Sequence, residues 1–232
     1  PEERGKGIES TQSTCYARVK AEREVNSSEQ QVCAVGQIFS SEHIEAMLEN
    51  EAKKQSWTCK SIPAFFSGDI CEKMRAILID WMVEVSLRTS LSLHTLVMAV
   101  GITDEVAALS PVRKSRYQLL GVTALFIAAK VEQKRSFSLK DFAAKFEPQY
   151  SLAEIIKEEA RVLAVLNYNL NRTSISNFSE LLMQKWCINY SEEVKRQLTC
   201  LIIAFFLSPG LYIFDDSLIS AAIVLVAGSH DS

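Results

Sequence analysis

Residues 74–87, MRAILIDWMVEVSL, constrain the fold most, because this stretch has no solvent face. At about 100° per residue, Met74, Ile77, Leu78, Trp81 and Val85 form one apolar stripe, and Ala76, Ile79, Val83 and Leu87 form a second on the far side. Asp80 and Glu84 separate the stripes along one edge, and Arg75 stands alone among apolar neighbours on the other. A helix apolar nearly all round belongs inside a helical bundle. A guanidinium among apolar side chains needs a carboxylate, because a buried unpaired charge is too costly. The helix therefore demands covering layers on both sides and an acid from elsewhere in the chain.

Helical periodicity continues from about residue 70 almost to the end. LSLHTLVMAVGITDEVAAL (91–109) predicts a second helix, with Leu93, Val97, Val100 and Ala108 on one face. Pro111 separates it from a third over 113–133, and Ser138 caps a short fourth over 139–146. Pro148 breaks the chain again, and Ser151 caps a fifth over 152–166. These five helices make a lobe over 70–170, an ordinary domain size. Residues 171–232 predict three more: one from Thr173 or Ser174 to about Lys185, one capped by Ser191 and ended by Pro209-Gly210, and one over 215–228. They are strongly apolar and lack a final covering layer. Residues 1–40, rich in Ser, Gln and charge, read as disordered or loosely attached. Residues 41–69 read as a short helix and a polar linker broken at Pro63 and Gly68. Strand signals are almost absent. The fold class is all-α, with one five-helix lobe and a partial second helical lobe.

A net charge of −3 over 232 residues leaves no basic footprint for nucleic acid or an anionic membrane. The most apolar runs, such as LIIAFFL at 201–207, fall well short of the ~20 residues of a spanning helix. No secretory signal is present. The expectation is a soluble intracellular protein without nucleic-acid or membrane partners. The six cysteines are scattered without CxxC or Cys/His ligand spacing and read as unpaired thiols. GxGxxG, GxxxxGK[ST], GxSxG and HExxH are missing, and His43, His94 and His230 are dispersed. No catalytic, metal or cofactor site is expected, and an enzyme is the least favoured reading.

Four charged residues stand where core-facing residues belong. Asp104 lies on the stripe of Leu93, Val97, Val100 and Ala108, and is the natural partner of Arg75. Lys130 falls on the stripe of Leu119, Val122 and Phe126 near the end of the third helix. There it can simply snorkel and complement the helix C-terminus. Glu159 sits within the stripe of Leu152, Ile155, Ile156, Val162, Leu163 and Leu166, while Glu154, Lys157, Glu158 and Arg161 occupy the opposite face. Lys130 and Glu159 can form a plain salt bridge, or stand side by side and hydrogen-bond a partner's backbone. The pattern does not separate these.

MRAILIDWMVEV (74–85), YQLLGVTALFIAAKVEQ (117–133) and EEARVLAVLNYNL (158–170), in this order, strongly resemble the cyclin box, closest to mitotic A- and B-type cyclins. The resemblance spans about 70–170, with weaker similarity over 173–228. Arg75, Asp104, Leu119, Lys130 and Glu159 match the family's five characteristic box positions. The resemblance implies a cyclin fold in which Arg75 and Asp104 form an internal pair, with Leu119 in the core. It implies that Lys130 and Glu159 contact a cyclin-dependent protein kinase in a heterodimer, with Ile127, Val131, Glu132, Leu163 and Tyr168 flanking the contact. The chain would then be a regulatory subunit in cell-cycle control at G2/M, in the nucleus or cytoplasm, doing no chemistry itself. Met74, Ile77, Leu78 and Trp81, with Glu84, Lys114 and Gln118 nearby, match a shallow apolar patch that docks RxL-type substrate or inhibitor peptides. Two departures stand out. Val131-Glu132-Gln133 replaces an aromatic followed by two acids, and Glu105 replaces a basic residue. The alternatives are a cyclin-like scaffold that docks peptides without activating a kinase, and a cyclin-fold transcription factor. The latter would need a basic face, which the acidic pI of about 5.8 disfavours.

Overall fold

In a computed structural model of the chain, which describes residues 41–52, 69–132, 142, 150–186, 191–208 and 214–228, the apolar periods form eight α-helices. These are α1 (Ser41–Ala52), α2 (Glu72–Arg88), α3 (Leu93–Leu109), α4 (Tyr117–Glu132), α5 (Leu152–Val165), α6 (Ile175–Lys185), α7 (Glu192–Leu207) and α8 (Asp216–Gly228). A single 3₁₀ turn, Lys114–Arg116, leads into α4. The described residues contain no β-strand, and the fold is all-α. The segment 1–40, the linker after α1 and the helix expected over 139–146 lie outside the described residues, apart from Phe142. That ring is fully buried, 5.6 Å from the Phe126 ring centre.

Serine hydroxyls set where α3, α5, α6 and α7 start. Ser92 Oγ accepts from the Thr95 amide at 3.1 Å, Ser174 Oγ from Asn177 at 3.4 Å and Ser191 Oγ from Val194 at 3.2 Å. Each satisfies an amide that the helix leaves without a partner, worth about 1 kcal/mol. Of Thr173 and Ser174, the cap is Ser174. Ser151 forms a capping box: its Oγ accepts from the Glu154 amide, and Glu154 Oε2 accepts from the Ser151 amide at 3.0 Å.

The interior is organised around α3 and α4. The pattern predicted one buried face on α3, yet residues 95–104 are buried continuously, because α2, α4, α5 and α6 all pack against this helix. Residues 119–129 of α4 are likewise buried without a break. α2 approaches α4 closely at Gly121, where a Cβ would lie 2.9 Å from Leu78 Cδ1. Ile79 and Val83 of α2 are core, as their stripe implied.

Three helices follow the first lobe, with α8 packed on α6 and α7. Leu218, Leu225 and Val226 of α8 are exposed, so the last helix carries apolar surface. Glu51 of α1 reaches the start of α8. Its carboxylate accepts from the Ser217 amide at 2.9 Å and from the Ser217 hydroxyl at 2.6 Å. Among the described residues, no helix is long and apolar enough to cross a membrane.

Candidate functional site

Arg75 ties three helices together. Its Nε and Nη2 donate to the two carboxylate oxygens of Asp104 at 2.9 and 2.8 Å, the parallel geometry of a bidentate pair. Its Nη1 donates to the Phe206 carbonyl at 2.7 Å. That carbonyl belongs to the last turn of α7, where backbone acceptors have no helical partner and cations are favoured. Both side chains are almost wholly buried. Arg75 therefore joins α2 to α3, as the sequence implied, and also holds the end of α7. Leu119 is fully buried in α4.

Lys130 lies one residue past the buried run of α4, and its ammonium pairs with the carboxylate of Glu159 from α5. The Phe126 ring centre lies 4.6 Å below the ammonium, which adds a cation–π contact. The Lys130 side chain is 42% exposed, so the pair is both a salt bridge and a surface feature. A Lys ammonium has three donors and a carboxylate two acceptor oxygens. The pair thus keeps capacity for a second partner.

Large apolar side chains frame it. Ile155, Val162 and Leu166 turn α5 inward, while Ile156 is 55% exposed on the side of Glu159 and the half-buried Leu163. Val131 at the end of α4 is 51% exposed, and Glu132 is exposed beside it. Tyr168, 71% exposed, follows α5 in a turn where Asn167 and Tyr168 both take left-handed backbone, φ 50° and 56°. Such backbone costs a non-glycine residue roughly 1 kcal/mol. Ile127, expected to flank this face, is instead 1% exposed. α3 and α5 cover α4 as far as Ala129, so Ile127 supports the face from beneath. Ile156 belongs to the face although the sequence did not single it out, because the pattern cannot tell the edge of a stripe from its centre. A cavity of about 400 Å³ adjoins the rim, lined in part by Val131, Glu132, Tyr168, His94 and Arg172.

Two ion pairs brace this region. Arg172 meets Glu105 of α3 at 2.5 Å with both side chains largely buried. Burial raises the Glu105 pKa, and the neighbouring Arg172 opposes that rise. Glu105 thus has a basic partner supplied by another segment. His94 of α3, half-buried, meets Glu180 of α6 at 2.8 Å. Burial lowers the His94 pKa, but the hydrogen bond and charge of Glu180, with the charge of Glu132, outweigh it and the net shift is upward.

The outer side of α2 divides more sharply than its apolar letters suggest. Ile77 is 60% exposed, and Met74 and Trp81 are half-buried. Leu78 is core instead of patch, because it fills the space that Gly121 leaves open on α4. Lys114 is exposed, Gln118 half-buried, and Glu84 receives a hydrogen bond from Arg88 at 2.6 Å.

Glu158 shares the charged face of α5 with Glu154, Lys157 and Arg161, yet it is 4% exposed. Arg161 donates to it at 2.6 and 3.0 Å, and Arg116 lies 3.9 Å away. The basic run 113–116 was the available signal: a carboxylate facing it can be buried because guanidinium groups replace its water.

A family model described as cyclin, N-terminal domain, matches residues 42–171, more than half of the chain. Cyclin-A3-2 of Oryza sativa subsp. japonica is 32% identical over 189 residues, which make up 78% of this chain and 47% of that protein. The G2/mitotic-specific cyclin-B1 of Anguilla japonica is 40% identical over 111 residues, 47% of this chain and 28% of that one. The chain thus spans less than half the length of these relatives. A solved viral cyclin from herpesvirus saimiri shares the fold, with a TM-score of 0.67 over 80% of this chain and 82% of that one, at 16% identity. The family match runs through both the Arg75–Asp104 and Lys130–Glu159 pairs, and on that match the chain belongs to the cyclin family.

Proposed function

We propose that this chain is the regulatory subunit of a cyclin-dependent Ser/Thr protein kinase, forming a heterodimer with it and switching it on. The observation that carries the reading is the surface Lys130–Glu159 pair framed by exposed Val131, Ile156 and Tyr168. A kinase of this type is active only when its own Lys–Glu pair and its activation loop are in place. A partner that binds that arrangement better than the idle one shifts the population towards it without doing chemistry. Action at G2/M is supported by relatives whose names read G2/mitotic-specific, and on this reading the chain acts in the nucleus or cytoplasm. On this reading the exposed side of α2 around Ile77 and Trp81 docks substrate or inhibitor peptides of RxL type.

A pull-down with purified cell-cycle kinases, followed by a histone-kinase assay, tests the proposal. Wild type is expected to bind and activate one of them, and Lys130→Ala and Glu159→Ala to weaken both effects at unchanged thermal stability. A wild type that neither binds nor activates any of them removes the activator reading. A second reading, a peptide-docking scaffold, is favoured by Val131, which offers a partner less apolar surface than an aromatic side chain. Binding of peptides without activation of any kinase would select it.

A further inference from the structure

We propose that Ser110 is a phosphorylation site for a proline-directed Ser/Thr protein kinase, and that Arg161 holds the added phosphate as a clamp between α3 and α5. Ser110 closes α3, and Ser110-Pro111-Val112-Arg113 connects that helix to the 3₁₀ turn before α4. The connector is extended: Ser110 has φ −142° and ψ 134°, and Arg113 has φ −70° and ψ 143°. It is also open to an enzyme, since Leu109 is 61% exposed and Pro111 and Arg113 are exposed. Proline has no N–H, so at the position after the target it excludes a kinase whose cleft needs that donor and admits one that does not. Arg113, three residues on, adds a guanidinium for an acidic contact beyond the cleft. Ser208-Pro209 has Leu211 in that place, and Ser208 Oγ is committed to the Ala204 carbonyl at 2.7 Å.

The receiving group is already in position. Arg161 Nη1 donates to Ser110 Oγ at 3.3 Å, while Nε and Nη2 of the same guanidinium donate to Glu158 Oε1 at 3.0 and 2.6 Å. One edge of the fork thus holds the carboxylate and Nη1 faces the serine, so a phosphate on Oγ is met without breaking the pair. The local charge agrees. Arg116 lies 3.7 Å from Glu154 and 3.9 Å from Glu158, so Arg116 and Arg161 balance these two acids. Arg113 and Lys114 then leave two positive charges over, and a phosphoserine brings about −2. The C-terminus of α3 opposes an anion, and the arginine contact offsets this. Transfer forms a bond from Ser110 Oγ to the γ-phosphorus of a nucleoside triphosphate and breaks its bond to the departing diphosphate. The hydroxyl proton passes to the base of the acting kinase.

Incubating the full chain with ATP and an active proline-directed Ser/Thr kinase, followed by mass spectrometry of a digest, tests the site. Phosphate is expected at Ser110 and not at Ser208, and Pro111→Ala is expected to cut incorporation at Ser110 by at least about tenfold. Thermal melts and phosphorus NMR test the clamp. The phosphorylated chain is expected to melt at least about 2 °C above the unmodified one. Its phosphate should take its second proton below the ordinary pKa of about 6, because the guanidinium favours the dianion. In Arg161→Lys, which keeps a charge beside Glu158 but loses the fork, the gain in melting temperature should fall by at least about half. An unmodified Ser110 in the folded chain overturns the site, and incorporation undiminished by Pro111→Ala overturns the enzyme class. A melting temperature that does not rise, a phosphate pKa at or above about 6, or a gain that Arg161→Lys leaves intact overturns the clamp.

Discussion

At the scale of single residues, Arg75 carries the most structure per side chain. Removing it strands a buried Asp104 and uncovers the Phe206 carbonyl at once. Breaking a buried pair from one side typically costs 3–5 kcal/mol. Arg75→Ala is therefore expected to lower the unfolding free energy by about 3–5 kcal/mol in urea denaturation, and an unchanged midpoint would contradict the internal-pair account. Both partners were legible in the sequence, because a charge on an apolar stripe announces that something must neutralise it. The third partner was not, because a backbone carbonyl leaves no mark in a sequence. Tyr168 allows a cleaner separation of fold from function. It is exposed and held in left-handed backbone, which glycine adopts freely. Tyr168→Gly is expected to keep stability within about 1 kcal/mol of wild type while weakening kinase binding by at least about tenfold. Calorimetry of both quantities on one sample checks it.

At the scale of elements, the helices were legible and their surroundings less so. Apolar periodicity and serine caps located the helices that fall within the described residues. The same periodicity marked only one face of α3, whereas Thr95 and Thr103 away from that face are buried too. The family resemblance placed Leu78 in the docking patch, since the role of Gly121 in admitting that side chain appears only when the two helices are brought together. The His94–Glu180 bridge between α3 and α6 was invisible for the same reason: two distant polar letters with no shared period. Its linkage to pH has a definite sign. The folded pKa of His94 lies above its ordinary value of 6.5, so the bridge contributes fully below about pH 6.5 and loses its contribution as pH rises through the folded pKa. Glu180 from α6 and Glu132 from α4 provide the attraction, with Arg172 lining the same cavity. Chemical denaturation should show wild type gaining more over His94→Gln at about pH 6 than at about pH 8.5. An equal difference at both would rule the bridge out as a charged one.

At the scale of the whole molecule, the fold turns a set of misplaced charges into one internal brace and one external face. The brace holds α2, α3 and the end of α7, so α4 and α5 present Lys130 and Glu159 from a fixed frame. Moving a kinase from one part active in a hundred to nearly all active takes a differential affinity of about 10⁴, or about 5.5 kcal/mol. Covering the exposed parts of Val131, Ile156 and Tyr168 supplies on the order of 1–2 kcal/mol each. The face is thus of the required size only if all three contacts form in the active arrangement, and losing one should be visible. The decisive measurement is a titration of histone-kinase activity in a purified cell-cycle kinase, with wild type and with Ile156→Asp, a substitution at a half-exposed position that the core does not need. Wild type is predicted to raise the activity to a plateau, and Ile156→Asp to move the half-maximal concentration up by at least about tenfold at an unchanged melting temperature. Activity that stays flat with wild type, or two curves that coincide, would contradict the account.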